Sequence, residues 1–322
     1  MSESIDVSII IAAYNASDFI GRAIDSALAQ EGLSIEVIIV DDASPRPVES
    51  AVMAAAKNDP RVQFYSLATN QGPSGARNLA LQHCKGRYVA VLDADDAMQP
   101  NRLKAMTEIA DEHSADIVVD DMQSVSYPDF ITSDGTFLTW PDDAPTDLMP
   151  INLQTYIDPE KSKAFGEPLG YLKPIFRRSF LQDNQLIYDL SLRNSEDHYI
   201  VANMLAKGAR MILLNMPGYL YTQRAGSLSH RLSPAYAKAI LDAERNFTEA
   251  HQASFGPDMQ KAAKRRWKAV SEQYAFECLY AHLKAKHIPA AVIAFAKQPK
   301  HMPHMIGRLF GILVKKLSGR SA

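Results

Sequence analysis

The sequence predicts an α/β fold, a mostly parallel sheet with helices on its faces, followed by a helical C-terminal region. Three observations carry this. Short β-branched runs alternate with helical periodicity through the first 120 residues. Strand punctuation disappears after Pro234. The 322 residues are long enough for one large α/β domain with an extension, which places the boundary between 1–230 and 231–322.

The elements follow in order. Val7–Ala12 is too continuous in apolar residues for a solvent-facing strand. Ser17 is a candidate cap for a helix whose apolar positions Phe19, Ile20, Ala23, Ile24, Ala27 and Leu28 fall at 3–4 spacing. Glu36–Val40 reads as a second buried strand, Val48–Lys57 as a helix and Val62–Ser66 as a third strand. Helix Ser74–His83 leads to strand Tyr88–Leu92. Pro100 is placed at a first helical position, opening helix Asn101–Glu112, and strand Ile117–Val119 closes the series. Prolines 128, 141, 145 and 150 mark a loop-rich insertion with a hairpin near Thr132–Trp140. Strand patterns return at Gly170–Phe176, Arg210–Leu214 and Gly218–Thr222, with a helix from Glu196 to Lys207. Ala235–Ser254, Met259–Lys286 and Ala290–Lys297 read as helices.

Composition excludes several classes. Two cysteines, Cys84 and Cys278, are no disulfide framework, so a reducing compartment is expected. The longest apolar run, Ile288–Ala296, is half the roughly 18 residues of a membrane span. The first residues lack the basic start and apolar core of a signal peptide. Charge is uneven. From Pro257 onward there are 13 Lys and Arg against 3 Asp and Glu, whereas the remainder holds 21 against 34. A basic tail on an acidic body calls for a partner: an anionic membrane, a nucleic acid or another copy.

Ligands of open α/β sheets bind outside the carboxyl ends of the strands. There the sequence places Ala12-Ala13-Tyr14-Asn15, Asp41-Asp42-Ala43-Ser44, the loop Asn70–Asn78 and Asp93-Ala94-Asp95-Asp96. Three carboxylates in four positions repel one another unless solvent or a divalent cation offsets the charge. The Gly-rich Asn70–Asn78 loop allows close backbone approach to a ligand. Asp41 reads as a structural cap of its turn. Glu196-Asp197 has two readings, acids at the positive end of a helix dipole or a catalytic pair, with Ser195 as the candidate cap.

Together with Glu196-Asp197, these segments resemble the signatures of the family 2 glycosyltransferases, which use the GT-A nucleotide-sugar-binding fold, a Rossmann-like mixed sheet. The resemblance covers about residues 5–230, with Ala12 where the family usually has Pro. It implies that Ala12, Tyr14 and Asp42, with Asn15 beside them, hold the uracil of a UDP-sugar and that Asp93 contacts the ribose. Asp95 would bind Mn or Mg, Arg77 would lie near the nucleotide, and Asp197 would be the general base of an inverting transfer. Arg224 and His230 match the segment that closes over the diphosphate, His230 as a second metal ligand. Gly170–Arg178 matches a stretch that often lines the acceptor side, and reads equally as a strand with a basic end. The Gln-x-x-Arg-Trp motif of processive synthases is missing, so a single sugar is expected to be added.

Within the family, the architecture is most similar to the exopolysaccharide (succinoglycan-type) glucosyltransferases. That similarity implies transfer of a hexose, glucose being favoured, to a lipid-linked saccharide acceptor on the cytoplasmic face of the cell membrane. The alternatives are a non-catalytic nucleotide-sugar-binding scaffold subunit and a nucleotidyltransferase, whose Arg/Lys-bearing loop Tyr14–Ser17 does not supply.

In the tail, Met302, Met305, Ile306, Leu309, Phe310, Leu313 and Leu317 recur at 3–4 spacing beside Arg308, Lys315, Lys316 and Arg320. This is either a basic interfacial helix on an anionic membrane or a stripe docked on protein, the catalytic domain or a sister subunit in a homo-oligomer. Lys264–Lys268 has the same two readings. Nucleic acid is not expected, because no recognition module is visible.

Overall fold

The computed structural model describes residues 4–141, 146–223 and 232–317. The chain forms two compact units, Met1–Ala225 and Gly226–Ala322.

In the first unit the alternation becomes β1 (Val7–Ala13), α1 (Ile20–Leu28), β2 (Ile35–Asp41), α2 (Glu49–Ala56), β3 (Val62–Ser66), α3 (Gly72–His83) and β4 (Tyr88–Val91). Next come β5 (Ala97–Met98), α4 (Arg102–Glu112), β6 (Ile117–Ser126), β7 (Thr132–Thr136) and β8 (Leu148–Ile151). Short helices α5 (Leu153–Ile157) and α6 (Pro159–Ser162) precede β9 (Ile175–Arg177), α7 (Arg178–Asp183), α8 (Glu196–Ala206) and β10 (Met211–Gln223).

Among the described residues the strands form one ten-stranded sheet, with the path β3-β2-β1-β4-β9-β6-β10-β5. β7 pairs with β6 and β8 with β10. β1, β2, β3 and β4 pair in parallel, and β9 enters antiparallel between β4 and β6. The continuous apolar runs have their explanation here. Val7, Ile9, Ile10, Ile11 and Val37–Val40 are buried on both faces of the sheet. Each such side chain contributes about 1.5–3 kcal/mol on leaving water.

Several local expectations are corrected. The residue at the cap of α1 is Phe19, and no side chain caps it, so Ser17 does not. Pro100 precedes the cap residue Asn101 instead of opening α4. Gly170 lies in a 3-10 turn (Leu169–Tyr171), and the strand shrinks to β9. The hairpin near Thr132 forms, but its first arm is the extended β6. The two strands expected at 210–222 are one, β10, with register shifts around Pro217, which has no N–H to give the ladder. That irregularity brings Gly218 against a buried ion pair. A Cβ there would stand 2.4 Å from Asp120 Oδ2 and 2.8 Å from Arg102 Cγ.

The second unit is helical among its described residues: α9 (Pro234–His251), α10 (Pro257–Lys284), α11 (Ile288–Ala296) and α12 (Met302–Leu317). Ala275, Phe276, Leu279, Ala291 and Met305 form its buried cluster. Among the described residues, no helix is long and apolar enough to cross a membrane.

Candidate active site

The carboxyl ends of β1 and β2 build the first wall. Asp42 N–H donates to Ala13 O at 2.8 Å, tying the two strand ends together. Asp41, as expected, caps its turn: its Oδ1 accepts from Ser44 N at 3.1 Å and from Ser44 Oγ at 2.5 Å. Asn15, at φ 52°, donates its N–H to Ser44 Oγ at 2.9 Å. Ala12, half-buried, stands opposite Val40 in the β1–β2 ladder, and Tyr14 is exposed.

Asp42 is buried and its oxygens accept from the amides of Gln71 (2.6 Å) and Gly72 (2.8 Å), which open α3. Burial raises its carboxyl above the usual range, and the two amide hydrogen bonds oppose that. Gly72 is required at this turn, with φ 78° and no room for a Cβ, which would fall 2.7 Å from Arg193 Cδ.

The second wall is a buried charge cluster. Arg77, on α3, is 3% exposed. Its guanidinium reaches Asp93 Oδ1 at 2.8 Å, Glu196 Oε1 at 2.5 Å and Asp197 Oδ1 at 3.2 Å. Lys173 completes the cluster: its ammonium lies 2.8 Å from Asp93 Oδ2 and 3.0 Å from Asp197 Oδ2. Two cations thus hold three carboxylates from β4 and α8. Burial works to raise Asp93, but Lys173 and Arg77 outweigh it and hold its carboxyl at about 2. Burial would deprotonate Lys173; Asp197 and Asp93 instead push it well above the ordinary lysine value. Burial raises Glu196, with Arg77 pulling the other way. The acids of α8 therefore face Arg77 and Lys173. Ser195 occupies the cap position in the left-handed region, but its side chain makes no capping bond.

Two buried polar atoms in this cluster accept or donate no hydrogen bond, Tyr188 Oη and Asp197 Oδ1, the latter held by the Arg77 charge at 3.2 Å without hydrogen-bond geometry. The Arg77 guanidinium lies 5.4 Å from the Tyr188 ring centroid.

The acidic turn after β4 divides its labour. Asp93 turns to the cluster. Asp96 is buried, accepting from Tyr219 Oη at 2.8 Å and Thr222 N at 2.7 Å. Burial, and then the charges of Asp95 and Asp93, push the Asp96 carboxyl well above its usual range. Asp95 is half-exposed. This repulsion is what a divalent cation at Asp95 would relieve, so the turn fits Mn or Mg. Among the described residues no group of three His, Cys, Asp or Glu side chains could hold a metal by itself. Ligands beyond Asp95 would have to come from residues outside the described ones or from the diphosphate of the donor. Arg224 and His230 lie outside the described residues.

Sequence reasoning missed Lys173, Tyr188 and the Arg102–Asp120 pair. Arg102 and Asp120 are fully buried, 2.7 Å apart, and Arg102 Nη2 also donates to the carbonyl of Lys173 at 2.5 Å. Lys173 did stand within the segment matched to the acceptor side, but nothing local separated it from Arg177 and Arg178.

A mostly parallel sheet with polar strand ends, an acidic turn and a carboxylate pair opening a later helix is the arrangement of a glycosyltransferase with the GT-A fold. The chain belongs to the family described as glycosyl transferase family 2, whose model matches residues 8–165. It is 36% identical over 301 residues to the succinoglycan biosynthesis protein ExoO of Rhizobium meliloti (strain 1021), covering 93% of this chain and 84% of ExoO. It is 31% identical to ExoU, a succinoglycan biosynthesis protein of the same organism, over 97% of this chain and 88% of ExoU. Among solved structures it resembles S. aureus TarS 1–349 in complex with UDP-GlcNAc, with TM-score 0.62, 19% identity and 90% of each chain covered. It also resembles the mannosyltransferase PcManGT of Pyrobaculum calidifontis in complex with GDP-Man and Mn2+, with TM-score 0.57, 17% identity and 98% and 81% covered. At these identities the two structures establish the fold, GT-A with a helical C-terminal region.

Proposed function

We propose that the protein transfers a hexose, glucose, from a UDP-sugar to a lipid-linked saccharide acceptor with inversion, in exopolysaccharide assembly at the inner face of the cell membrane. The succinoglycan relatives support the pathway class. The observation that carries the chemistry is the Asp197 carboxylate, buried in the same charge cluster as Asp93, whose Oδ1 is ion-paired with Arg77 at 3.2 Å but accepts no hydrogen bond. An acceptor hydroxyl would supply the hydrogen bond that this oxygen lacks.

In this reading Ala12, Tyr14 and Asn15 bound the uracil. Asp42 shapes that wall by holding the Gln71 and Gly72 amides, and each of its oxygens keeps a second lone pair for the base. Asp93 meets the ribose. Arg77 holds Asp93, Glu196 and Asp197 in one constellation. Asp197 accepts the proton of the acceptor hydroxyl as its oxygen bonds to the anomeric carbon and the bond to UDP breaks. Asp95 and His230 would hold the Mn or Mg, which when bound supplies Lewis-acid stabilisation of the departing UDP, and Arg224 would meet the diphosphate. Tyr188 Oη is a donor available to the sugar or acceptor.

Asp197→Asn tests the reading. Turnover of UDP-glucose should fall about 10²- to 10⁴-fold while UDP affinity stays near wild type. The melting temperature should drop, because Lys173 and Arg77 lose a buried charge partner, so turnover is compared at a temperature where both proteins are folded. Wild-type turnover in the variant would remove Asp197 from the base role. A wild-type protein that binds UDP-sugars but never turns them over, with or without acceptor, would support the scaffold alternative instead.

A further inference from the structure

The stripe expected along the tail divides into two faces. Met305 is fully buried in the α10–α11 cluster, and Met302, Leu309 and Ile312 pack against it. Ile306, Phe310, Leu313 and Val314 point the other way and are 46–66% exposed. α11 divides likewise: Ala291 is buried, whereas Ile288, Val292 and Ile293 are exposed. Both helices are anchored on one side and leave large aliphatic and aromatic side chains in water on another.

Charge indicates what covers them. After Glu277 the sequence contains no Asp or Glu, and it carries Lys284, Lys286, Lys297, Lys300, Arg308, Lys315, Lys316 and Arg320. Arg308 is used internally, donating to Gln273 at 2.5 Å and lying 4.2 Å from the Phe276 ring centroid. Lys284, Lys286, Lys297 and Lys300 are exposed.

We infer that the exposed faces of α11 and α12 are a binding surface for an anionic lipid bilayer, with the apolar side chains entering the headgroup boundary and the lysines meeting lipid phosphates. The combination of apolar insertion and one-signed charge is what such a surface requires. A twofold dimer through the same face is disfavoured, because it would set two wholly basic tails against each other. The inference concerns the second unit alone and does not depend on the sugar or the acceptor.

The test uses the full chain and vesicles of phosphatidylglycerol with phosphatidylcholine, against pure phosphatidylcholine. Wild type should sediment with the anionic vesicles only, and about ten-fold less of it at high salt. A triple variant, Ile306→Ser with Phe310→Ser and Leu313→Ser, should lose that binding, as should Lys297→Glu with Lys300→Glu. Turnover of UDP-glucose with a soluble acceptor analogue and gel-filtration volume should be unchanged in both. The inference is overturned by wild type that stays in the supernatant. It is equally overturned by a variant whose elution shifts from oligomer to monomer, which would assign the face to another copy. Turnover measured on the same samples keeps failure of the lipid surface distinct from failure of the enzymatic reading.

Discussion

The Lys173 ammonium lies 3.0 Å from Oδ2 of Asp197, and the same group stands 2.8 Å from Oδ2 of Asp93. One lysine thus bridges the proposed donor contact and the proposed base. Its backbone carbonyl is held in turn by the buried Arg102.

Lys173→Met would leave Asp93, Glu196 and Asp197 facing Arg77 alone. Removing one partner of a buried ion pair costs about 3–5 kcal/mol, so the urea midpoint at pH 7 should fall sharply, and Lys173→Arg should recover part of it. The sign with pH follows from Asp93. Its folded value of about 2 lies below the ordinary 3.8, so its contribution is full above 3.8 and is lost as pH falls toward 2. The gap between wild type and Lys173→Met should therefore narrow between pH 4 and pH 2, within that window. An equal gap at pH 7 and pH 3 would contradict the pairing.

Asp95→Ala should abolish Mn-dependent UDP binding, read by calorimetry, together with transfer. The apo protein should melt no lower than wild type, because the Asp95 charge is one of the causes that push Asp96 up. Mn-dependent UDP affinity that survives the substitution would move the metal elsewhere.

Asp96 has the opposite sign to Asp93. Its folded value is raised, so its contribution is full below 3.8 and declines as pH rises through the folded value. The stability of wild type relative to Asp96→Asn should fall as pH rises over that range. Added Mn should stabilise most where Asp96 is charged. A metal effect independent of pH would argue against a cation at this turn.

Arg102→Leu strands Asp120 in the core. The expected loss is about 3–5 kcal/mol by urea denaturation. Arg102→Met combined with Asp120→Leu should recover most of it, since an apolar pair of similar volume removes the desolvation cost. A double variant no better than the single would show that the Lys173 carbonyl, and not the ion pair, is what Arg102 chiefly serves.

Cys84 is buried beside α3, and burial pushes its thiol up to about 12. Iodoacetamide at pH 8 should modify Cys278 in the folded protein and reach Cys84 only in denaturant, as read by mass spectrometry. Equal rates at both positions in the folded state would show that the β1–α3 packing opens readily.

The sequence by itself determined the strands β1 to β4 and the polar motifs at their ends. Val7–Ala13 and Ile35–Asp41 are continuous β-branched runs, and Asp41, Asp42 and the Asn70–Asn78 loop follow them at turn distance. Such features rest on local periodicity and turn chemistry, which neighbouring residues suffice to express. Only the tertiary structure decided which cation meets which carboxylate. Arg77 and Glu196 are 119 residues apart in sequence, and the partner of Asp197 comes from the β9 approach, where three basic residues looked alike. It also joined two apparent strands into β10 and divided the stripe of α12 into a buried and an exposed face. Each of these is settled by which surfaces exclude water from one another. That depends on long-range packing, and a charge finds its buried partner only once the packing has formed.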